Sequence, residues 1–116
     1  MTDLGFPRSL RVRSKQDFSA VFATRRALGV GPLVVHAAQT SHGAARLGLA
    51  VPRRAGNAPT RNRIKRLLRE AFRLSRSHWP DGWDFVVVVK PHAPVPLHRY
   101  GQYLHKAIEQ LTRSGT

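Results

Sequence analysis

The chain has 116 residues, which is enough for one hydrophobic core and too short for two. Twenty Lys and Arg residues stand against six Asp and Glu, and the formal net charge of +14 indicates a polyanionic partner. The absence of cysteine excludes a disulfide framework and Cys-ligated zinc.

An anionic membrane is a less suitable partner for this charge than nucleic acid. No segment approaches the roughly 20 consecutive apolar residues of a membrane-spanning helix. The N-terminus also lacks the apolar stretch of a signal peptide. We therefore expect a cytoplasmic protein with no membrane partner.

The N-terminal part of the chain predicts a short helix after an extended segment. Residues 1–13 are basic with little periodicity, so we expect an extended lead-in. Ser14 and Asp17 resemble a capping box and predict a helix that continues to about Thr24. Phe18 and Phe22 lie one turn apart on it, a spacing that is more typical of core packing than of ligand binding.

The next segments predict strands, after a break at Gly29, Gly31 and Pro32. Residues 33–38 are rich in Val, and their alternation places His36 on the face opposite Leu33 and Val35. A turn at residues 41–43 leads to residues 46–51, which alternate bulky and small side chains. The small face predicts the close approach of another element, either a helix or a ligand.

The most informative segment is an amphipathic helix that we expect from about Ala58 to Ser77. Apolar residues recur at helical spacing and form a core face: Ile64, Leu67, Leu68, Ala71 and Phe72. The other side is a basic ladder made of Arg61, Lys65, Arg66, Arg69, Arg73 and Arg76, which only Glu70 interrupts. Like charges at i, i+4 are unfavourable, so this ladder indicates an anionic partner rather than an ordinary solvated face. A basic loop with Arg53 and Arg54 precedes the helix, and Asn57 or Thr60 can cap it.

The remaining elements complete an α/β fold. A turn at residues 79–82 precedes the apolar run 85–89, which predicts a central strand covered on both faces. A Pro-rich link then leads to an amphipathic helix from Leu97 to Leu111. The predicted fold is an α/β (α+β) sandwich in a single domain, 1–116, with the order α-β-β(-β)-α-β-α. Its central mixed sheet contains a βαβ crossover between parallel strands.

Candidate catalytic groups are not clustered in the sequence. The acidic residues lie on different elements, and we place Asp81 and Asp84 together in a turn. The histidines show neither HxxxH nor HExxH spacing. We therefore predict no catalytic residue and no metal ligand. A basic helix beside an aromatic-lined sheet favours single-stranded RNA over duplex DNA.

The residues of the central helix resemble those of the protein subunit of bacterial ribonuclease P. The resemblance lies in Gly56-Asn57, Arg61-Asn62-Arg63-Ile64-Lys65-Arg66, Arg69-Glu70, Phe72 and Arg73. It extends to Phe6-Pro7, Asp17-Phe18, Val21-Phe22, Arg46-Leu47-Gly48-Leu49, Val51 and the strand before Lys90-Pro91, so that it covers nearly the whole chain.

This resemblance implies a ribonucleoprotein that removes the 5′ leader from precursor tRNA, with the RNA subunit and its Mg²⁺ performing the hydrolysis. It implies a left-handed crossover, against the general right-handed preference, and we follow the family. The expected contacts with the catalytic RNA are Arg53, Arg54, Asn57, Arg61, Asn62, Arg63, Lys65, Arg66, Arg69 and Arg73. The leader would lie between the first helix and the sheet, against Phe18, Phe22 and His36. Relatives often have an aromatic residue such as Tyr at the position of His36, so stacking there is an open point.

Two other functions are compatible with the residues alone. A structural RNA-binding protein of ribosomal type would dock the same helix on folded rRNA, and a protein-only nuclease would cleave precursor tRNA without added RNA. A cleavage assay at low Mg²⁺, with and without ribonuclease P RNA, separates these alternatives. Whether the protein itself holds a metal ion is open at this point.

Overall fold

The computed structural model describes residues 8–41 and 43–113. The Phe6-Pro7 part of the resemblance and His42 of the predicted turn lie outside these ranges. The helices are α1 (Lys15–Ala23), α2 (Ala58–Ser75) and α3 (Leu97–Arg113), and the strands are β1 (Ala27–Val30), β2 (Leu33–Gln39), β3 (Arg46–Ala50) and β4 (Trp83–Val89). Within the described ranges, no helix has the length and apolar character needed to cross a membrane.

A four-stranded mixed sheet with the order β1-β2-β4-β3 forms the centre of the fold. β2 pairs antiparallel with β1 and with β4, whereas β3 and β4 are parallel. The predicted central strand is therefore confirmed, because β4 has a partner on each side. Since α2 connects the parallel strands β3 and β4, the predicted α+β class with a mixed sheet is also confirmed. The handedness of this crossover stays a prediction.

Strand β1 lies where the sequence predicted only a break. Gly31 adopts a left-handed φ of 55° and turns the chain between β1 and β2, while Gly29 pairs with Val34 inside the hairpin. The turn also needs glycine for space, because a Cβ at Gly31 would lie 2.6 Å from the ring of Tyr103 on α3. Glycines that mark a break in the sequence thus form a tight turn and an edge strand.

Other boundaries differ from the predictions for local reasons. Residues 8–10 form a 3₁₀ turn rather than an extended segment, and Arg11 then makes a parallel bridge to Leu47. Helix α2 ends at Ser75 and continues as a 3₁₀ turn over Arg76–His78. Asp84 lies inside β4 rather than in the preceding turn, because it pairs with residues of both neighbouring strands.

The main core lies between one face of the sheet and helices α2 and α3. Phe72 of α2 and Phe85 of β4 both contact Trp79, with ring centroids 4.0 and 5.0 Å from its ring. Other fully buried side chains in this layer include Leu33, Val35, Ile64, Leu68, Tyr100 and Leu104. The alternation predicted for β2 is confirmed, because Leu33 and Val35 are in this core and His36 is not.

The opposite face of the sheet has a smaller core, over which helix α1 packs. Val21 of α1 is buried there together with Val12, Ala38 and Val86. Because α1 has only nine residues, it covers part of this face and leaves the rest accessible. The predicted cap of α1 is confirmed, since the Ser14 hydroxyl oxygen accepts a hydrogen bond from the Asp17 N–H at 3.0 Å.

Candidate nucleic-acid interface

The start of α2 is fixed by its own cap and by the loop before it. The Asn57 side-chain oxygen accepts a hydrogen bond from the Thr60 N–H at 2.9 Å, so Asn57 is the cap. Arg61 Nε donates to the Gly56 carbonyl oxygen at 3.0 Å. Gly56 has a φ of 149° and approaches Thr60 closely. Arg53 and Arg54 lie in the 3₁₀ turn Arg53–Ala55, which directly precedes these contacts.

Helix α2 has the apolar and basic sides that its periodicity predicts. Ile64, Leu68, Ala71 and Phe72 are buried. Most of the predicted RNA-binding side chains are exposed: Arg53, Arg54, Asn57, Asn62, Arg63, Arg66 and Arg73. Arg61, Lys65 and Arg69 are half-buried. The basic ladder therefore forms the solvent-facing surface of α2.

The one acid in this ladder is paired with a neighbouring arginine. Arg73 Nε donates to Glu70 Oε1 at 2.9 Å. This hydrogen bond lowers the pKa of Glu70 and raises the pKa of Arg73. The pair is exposed, so it contributes little to stability, and the basic character of the remaining surface is unchanged.

The predicted RNA-binding residues do not all point to the same side of α2. Lys65 and Arg69 line a cleft that opens beside β3 and the segment before α1. Arg63 lies on the side of α3; burial raises the pKa of the Tyr100 phenol there, and the charge of Arg63 opposes this rise. Since successive residues turn by about 100° around a helix, a run of basic residues spreads over a broad surface rather than one line.

The structure brings the three predicted leader-binding residues together on the other face of the sheet. The ring centroids of Phe18 and Phe22 on α1 are 6.3 Å apart, and that of His36 on β2 is 4.8 Å from Phe22 in an edge-on arrangement. Phe22 is 38% exposed, so part of its ring is open to solvent. These three rings form an aromatic row along one side of the uncovered sheet face.

The imidazole of His36 is partly withdrawn from solvent. Its Nδ1 atom is buried and has no hydrogen-bond partner among the residues that the structure describes. Burial lowers the pKa of His36 below its usual value of 6.5. The lowered pKa favours the neutral imidazole, so His36 adds an aromatic surface more than a positive charge to this face.

The floor beside the aromatic row consists of apolar residues that sequence reasoning did not assign to the site. Val34 pairs with Gly29 on one side and with Val88 on the other, and Ala50 pairs with Val88. These positions share the sheet face of His36, and Val34, Val88 and Ala50 are only half-buried. The alternation in β2 indicated that Val34 faces this side, but the strand register was needed to place Val88 beside it. We call this floor together with the aromatic row the leader-side face.

Helix α1 is held at both ends, which fixes its distance from the sheet. Arg46 on β3 binds Asp84 on β4 through two hydrogen bonds of 2.8 and 2.6 Å, and its guanidinium lies 3.5 Å from Asp17 on α1. At the other end, Thr24 Oγ1 lies 2.8 Å from the carbonyl oxygen of Ala37 on β2. Hydrogen bonding by Arg46 to the Asp84 carboxylate is the largest cause of the raised pKa of Arg46.

Acidic side chains are not arranged as a metal site in the described part of the chain. Asp84 is only 3% exposed and is occupied by Arg46. Across residues 8–41 and 43–113, no three His, Asp or Glu side chains come together in a way that could hold a metal ion. Asp84 is thus a structural counter-ion, which the sequence could not indicate because Arg46 is far away along the chain.

Comparisons with known proteins identify similar chains. The sequence model of the Ribonuclease P family matches residues 6–112. The ribonuclease P protein component of Escherichia coli O157:H7 is 42% identical over 114 residues, which cover 97% of this chain and 92% of that protein. The component from Desulfovibrio desulfuricans is 40% identical over 109 residues, covering 92% and 84%.

Solved structures agree with these sequence relatives. The RNase P protein from Thermotoga maritima has a TM-score of 0.77 at 28% identity, covering 86% of this chain and 96% of that one. The RNase P protein from Staphylococcus aureus has a TM-score of 0.76 at 25% identity, covering 87% and 94%.

Proposed function

The chain belongs to the ribonuclease P protein family, and from this membership we propose that it binds both the catalytic RNA and the 5′ leader of precursor tRNA. As a family member it is a subunit of an endoribonuclease holoenzyme that acts in tRNA processing and has an RNA partner. The observation that carries the finer proposal is the presence of two different surfaces. The basic side of α2 suits phosphates, and the leader-side face suits unstacked bases.

Helix α2 is the proposed docking surface for the catalytic RNA. Its guanidinium groups can make bidentate hydrogen bonds to phosphate oxygens, which a lysine cannot match in geometry. Phosphate contacts give affinity and orientation without reading sequence, which suits attachment to one folded RNA. The fixed cap at Asn57 and the contact between Arg61 and Gly56 support this role, because they hold the start of the helix in place before RNA arrives.

The leader-side face is the proposed site for the single-stranded leader. Bases that are not paired can stack on aromatic rings, and such contacts tolerate different sequences. Phe22 supplies an exposed ring, His36 a ring whose neutral form is favoured by burial, and Val34 and Val88 an apolar floor. The protein would hold the leader here while its basic surface offsets repulsion between the phosphates of the two RNAs.

Mg²⁺ is assigned by this proposal to the RNA subunit. The described carboxylates do not form a donor set for Mg²⁺, which takes oxygen ligands. We therefore give no residue of this chain a role in the hydrolysis itself. The contribution of the protein is to bind, to orient and to neutralise charge, so that less Mg²⁺ is needed for tight substrate binding.

Reconstitution tests the proposal directly. Precursor tRNA is incubated at low Mg²⁺ with ribonuclease P RNA alone, with the protein alone and with both. We expect leader removal with both components and little with either alone. Cleavage by the protein alone would contradict the assignment of chemistry to the RNA, and no stimulation by the protein would contradict the proposal as a whole.

A further inference from the structure

A cleft at the outer edge of β3 lies between the two surfaces described above. It is bounded by the segment before α1, by α1, by β3 and by α2. Its lining residues are Arg11, Val12, Arg13, Phe18, Leu47, Leu49, Lys65 and Arg69. We call it the edge cleft. It encloses about 230 Å³, less than the roughly 300–1,000 Å³ of a site for a drug-sized ligand, so it can enclose one base while an attached phosphate stays at its rim.

The backbone of β3 is only partly paired along this edge. The Val12 N–H donates to the Leu47 carbonyl oxygen at 3.0 Å, and the bridge between Arg11 and Leu47 is isolated. Since alternate residues of a strand direct their backbone polar groups to the same side, Leu49 also directs its N–H and C=O outward. No hydrogen bond on that side joins Leu49 to another residue of the described ranges. Within the described ranges, the N–H and C=O of Leu49 are therefore an unpaired donor and acceptor at the wall of the edge cleft.

The side chains around this backbone are of two kinds. Val12, Phe18 and Leu49 give apolar surface, and the Phe18 ring lies close to the strand because Gly48 has no side chain. Arg13 and Lys65 add positive charge, and neither makes an ion pair with a carboxylate in the part of the chain that the structure describes. An apolar wall, a backbone donor and acceptor, and cations at the rim match the base and phosphate of one nucleotide.

We propose that the edge cleft binds a single unstacked nucleotide of the RNA subunit, with its base against Phe18 and Leu49 and its phosphate at Arg13 and Lys65. The proposal rests on the proposed function, because it takes the RNA subunit as the partner of α2. The RNA subunit is favoured over the leader because Lys65 belongs to the basic side of α2. The cleft also opens at the sheet edge, away from Val34 and Val88 of the leader-side face.

Binding of the RNA subunit without precursor tRNA is the first measurement. Arg13→Glu is compared with Lys106→Glu, which reverses one exposed charge on α3 outside both surfaces. We expect Arg13→Glu to raise the Kd for the RNA subunit about tenfold, as for loss of a specific arginine contact, and Lys106→Glu to change it less than about twofold. Thermal unfolding of both variants verifies that they are folded.

The second measurement detects the base. The amide signal of Leu49 is followed by NMR while the whole protein is titrated with AMP, with UMP or with inorganic phosphate at equal ionic strength. We expect both mononucleotides to move this signal and phosphate alone to leave it in place. In Arg13→Glu the response of Leu49 should shrink, whereas Lys106→Glu should respond like the natural protein.

The outcomes separate this proposal from the one it rests on. If the natural protein stimulates leader removal but the two variants bind the RNA subunit equally, the edge-cleft proposal is overturned alone. The proposal is also overturned if the Leu49 amide signal does not shift with either mononucleotide. It is likewise overturned if Arg13→Glu weakens binding only when precursor tRNA is present. If the natural protein neither binds the RNA subunit nor stimulates cleavage, the proposed function itself has failed.

Discussion

At the scale of single residues, Gly48 is where two packing contacts meet on β3. A Cβ at this position would lie 2.9 Å from Val12 Cβ and 3.0 Å from the ring of Phe18. The close approach that the small face of β3 predicted is therefore confirmed, and the approaching groups come from α1 and from the segment before it. The two contacts place the Phe18 ring at the border between the leader-side face and the edge cleft.

A substitution at Gly48 should consequently cost stability. We expect Gly48→Ala to lower the free energy of unfolding by about 1–3 kcal/mol, because Val12 or Phe18 must move to admit the methyl group. Gly29→Ala is the matched control, since a Cβ there meets nothing within 4 Å. Urea unfolding of both variants measures the difference. Equal stability of the two would show that this packing is not tight.

His36 should give the protein a specific response to pH. Because burial lowers its pKa in the folded chain, the unfolded chain binds the proton first as pH falls below about 6.5. The contribution of His36 to stability is complete above that pH and is lost below it. We expect His36→Phe to reduce the fall in Tm between pH 7.5 and pH 5.5. If both proteins lose the same Tm, other groups cause the response.

At the scale of elements, α2 depends on its first turn. Asn57 was predicted as an RNA contact and as a possible cap, and the structure confirms the second of these roles. We expect Asn57→Ala to lower the free energy of unfolding by about 1 kcal/mol and Asn57→Asp to keep the cap. Thermal unfolding of the free protein tests this. An RNA contact by Asn57 would appear as an additional loss of affinity in Asn57→Asp, whose cap is intact.

The contacts of α2 with RNA should be visible in the dependence of affinity on salt. Arg66 is exposed, and Arg69 is half-buried beside the edge cleft. For each lost phosphate contact the slope of log K against log salt should become shallower by about 0.7 for single strands. We expect Arg66→Ala and Arg69→Ala to weaken binding of the RNA subunit and to flatten this slope. An unchanged slope would show that α2 does not meet phosphates at these positions.

The elements show which part of the structure could be predicted from sequence. Helices α1, α2 and α3 could be predicted from apolar periodicity, because the spacing of apolar residues is visible within each segment without knowledge of its partners. Strand β1 was not predicted, since it is a short edge strand held by its partner β2 and by the turn at Gly31. The ion pair of Asp84 with Arg46 was also not predictable, because it depends on the register of β3 against β4.

The candidate site likewise combines features that local sequence predicts with features that depend on strand pairing. Alternation placed His36 on the correct face of β2, and the resemblance placed Phe18 and Phe22 near it, which the ring distances confirm. The apolar floor at Val34 and Val88 depends on the pairing of β2 with β4. Contact of these residues with a leader, and of α2 with the catalytic RNA, stays a prediction until the binding measurements are made.

At the scale of the whole molecule, the net charge of +14 lowers the stability of the free protein and raises its affinity for RNA. Salt screens the repulsion between like charges in the free protein, and it also weakens attraction to phosphates. We therefore expect Tm of the free protein to rise with added NaCl while its affinity for the RNA subunit falls. Measuring both over the same salt range tests this, and a Tm that falls with salt would contradict it.

The position of Phe18 between the leader-side face and the edge cleft has a thermodynamic consequence. If one ring forms part of two binding sites, occupation of either site restricts the positions that the ring can take in the other. Coupling of this kind is reciprocal, so any factor by which the RNA subunit strengthens leader binding is also the factor by which the leader strengthens attachment of the RNA subunit. We expect this factor to change in Gly48→Ala, because the added methyl group displaces the Phe18 ring from β3. The factor is measured as the ratio of the Kd values for the RNA subunit with and without bound leader.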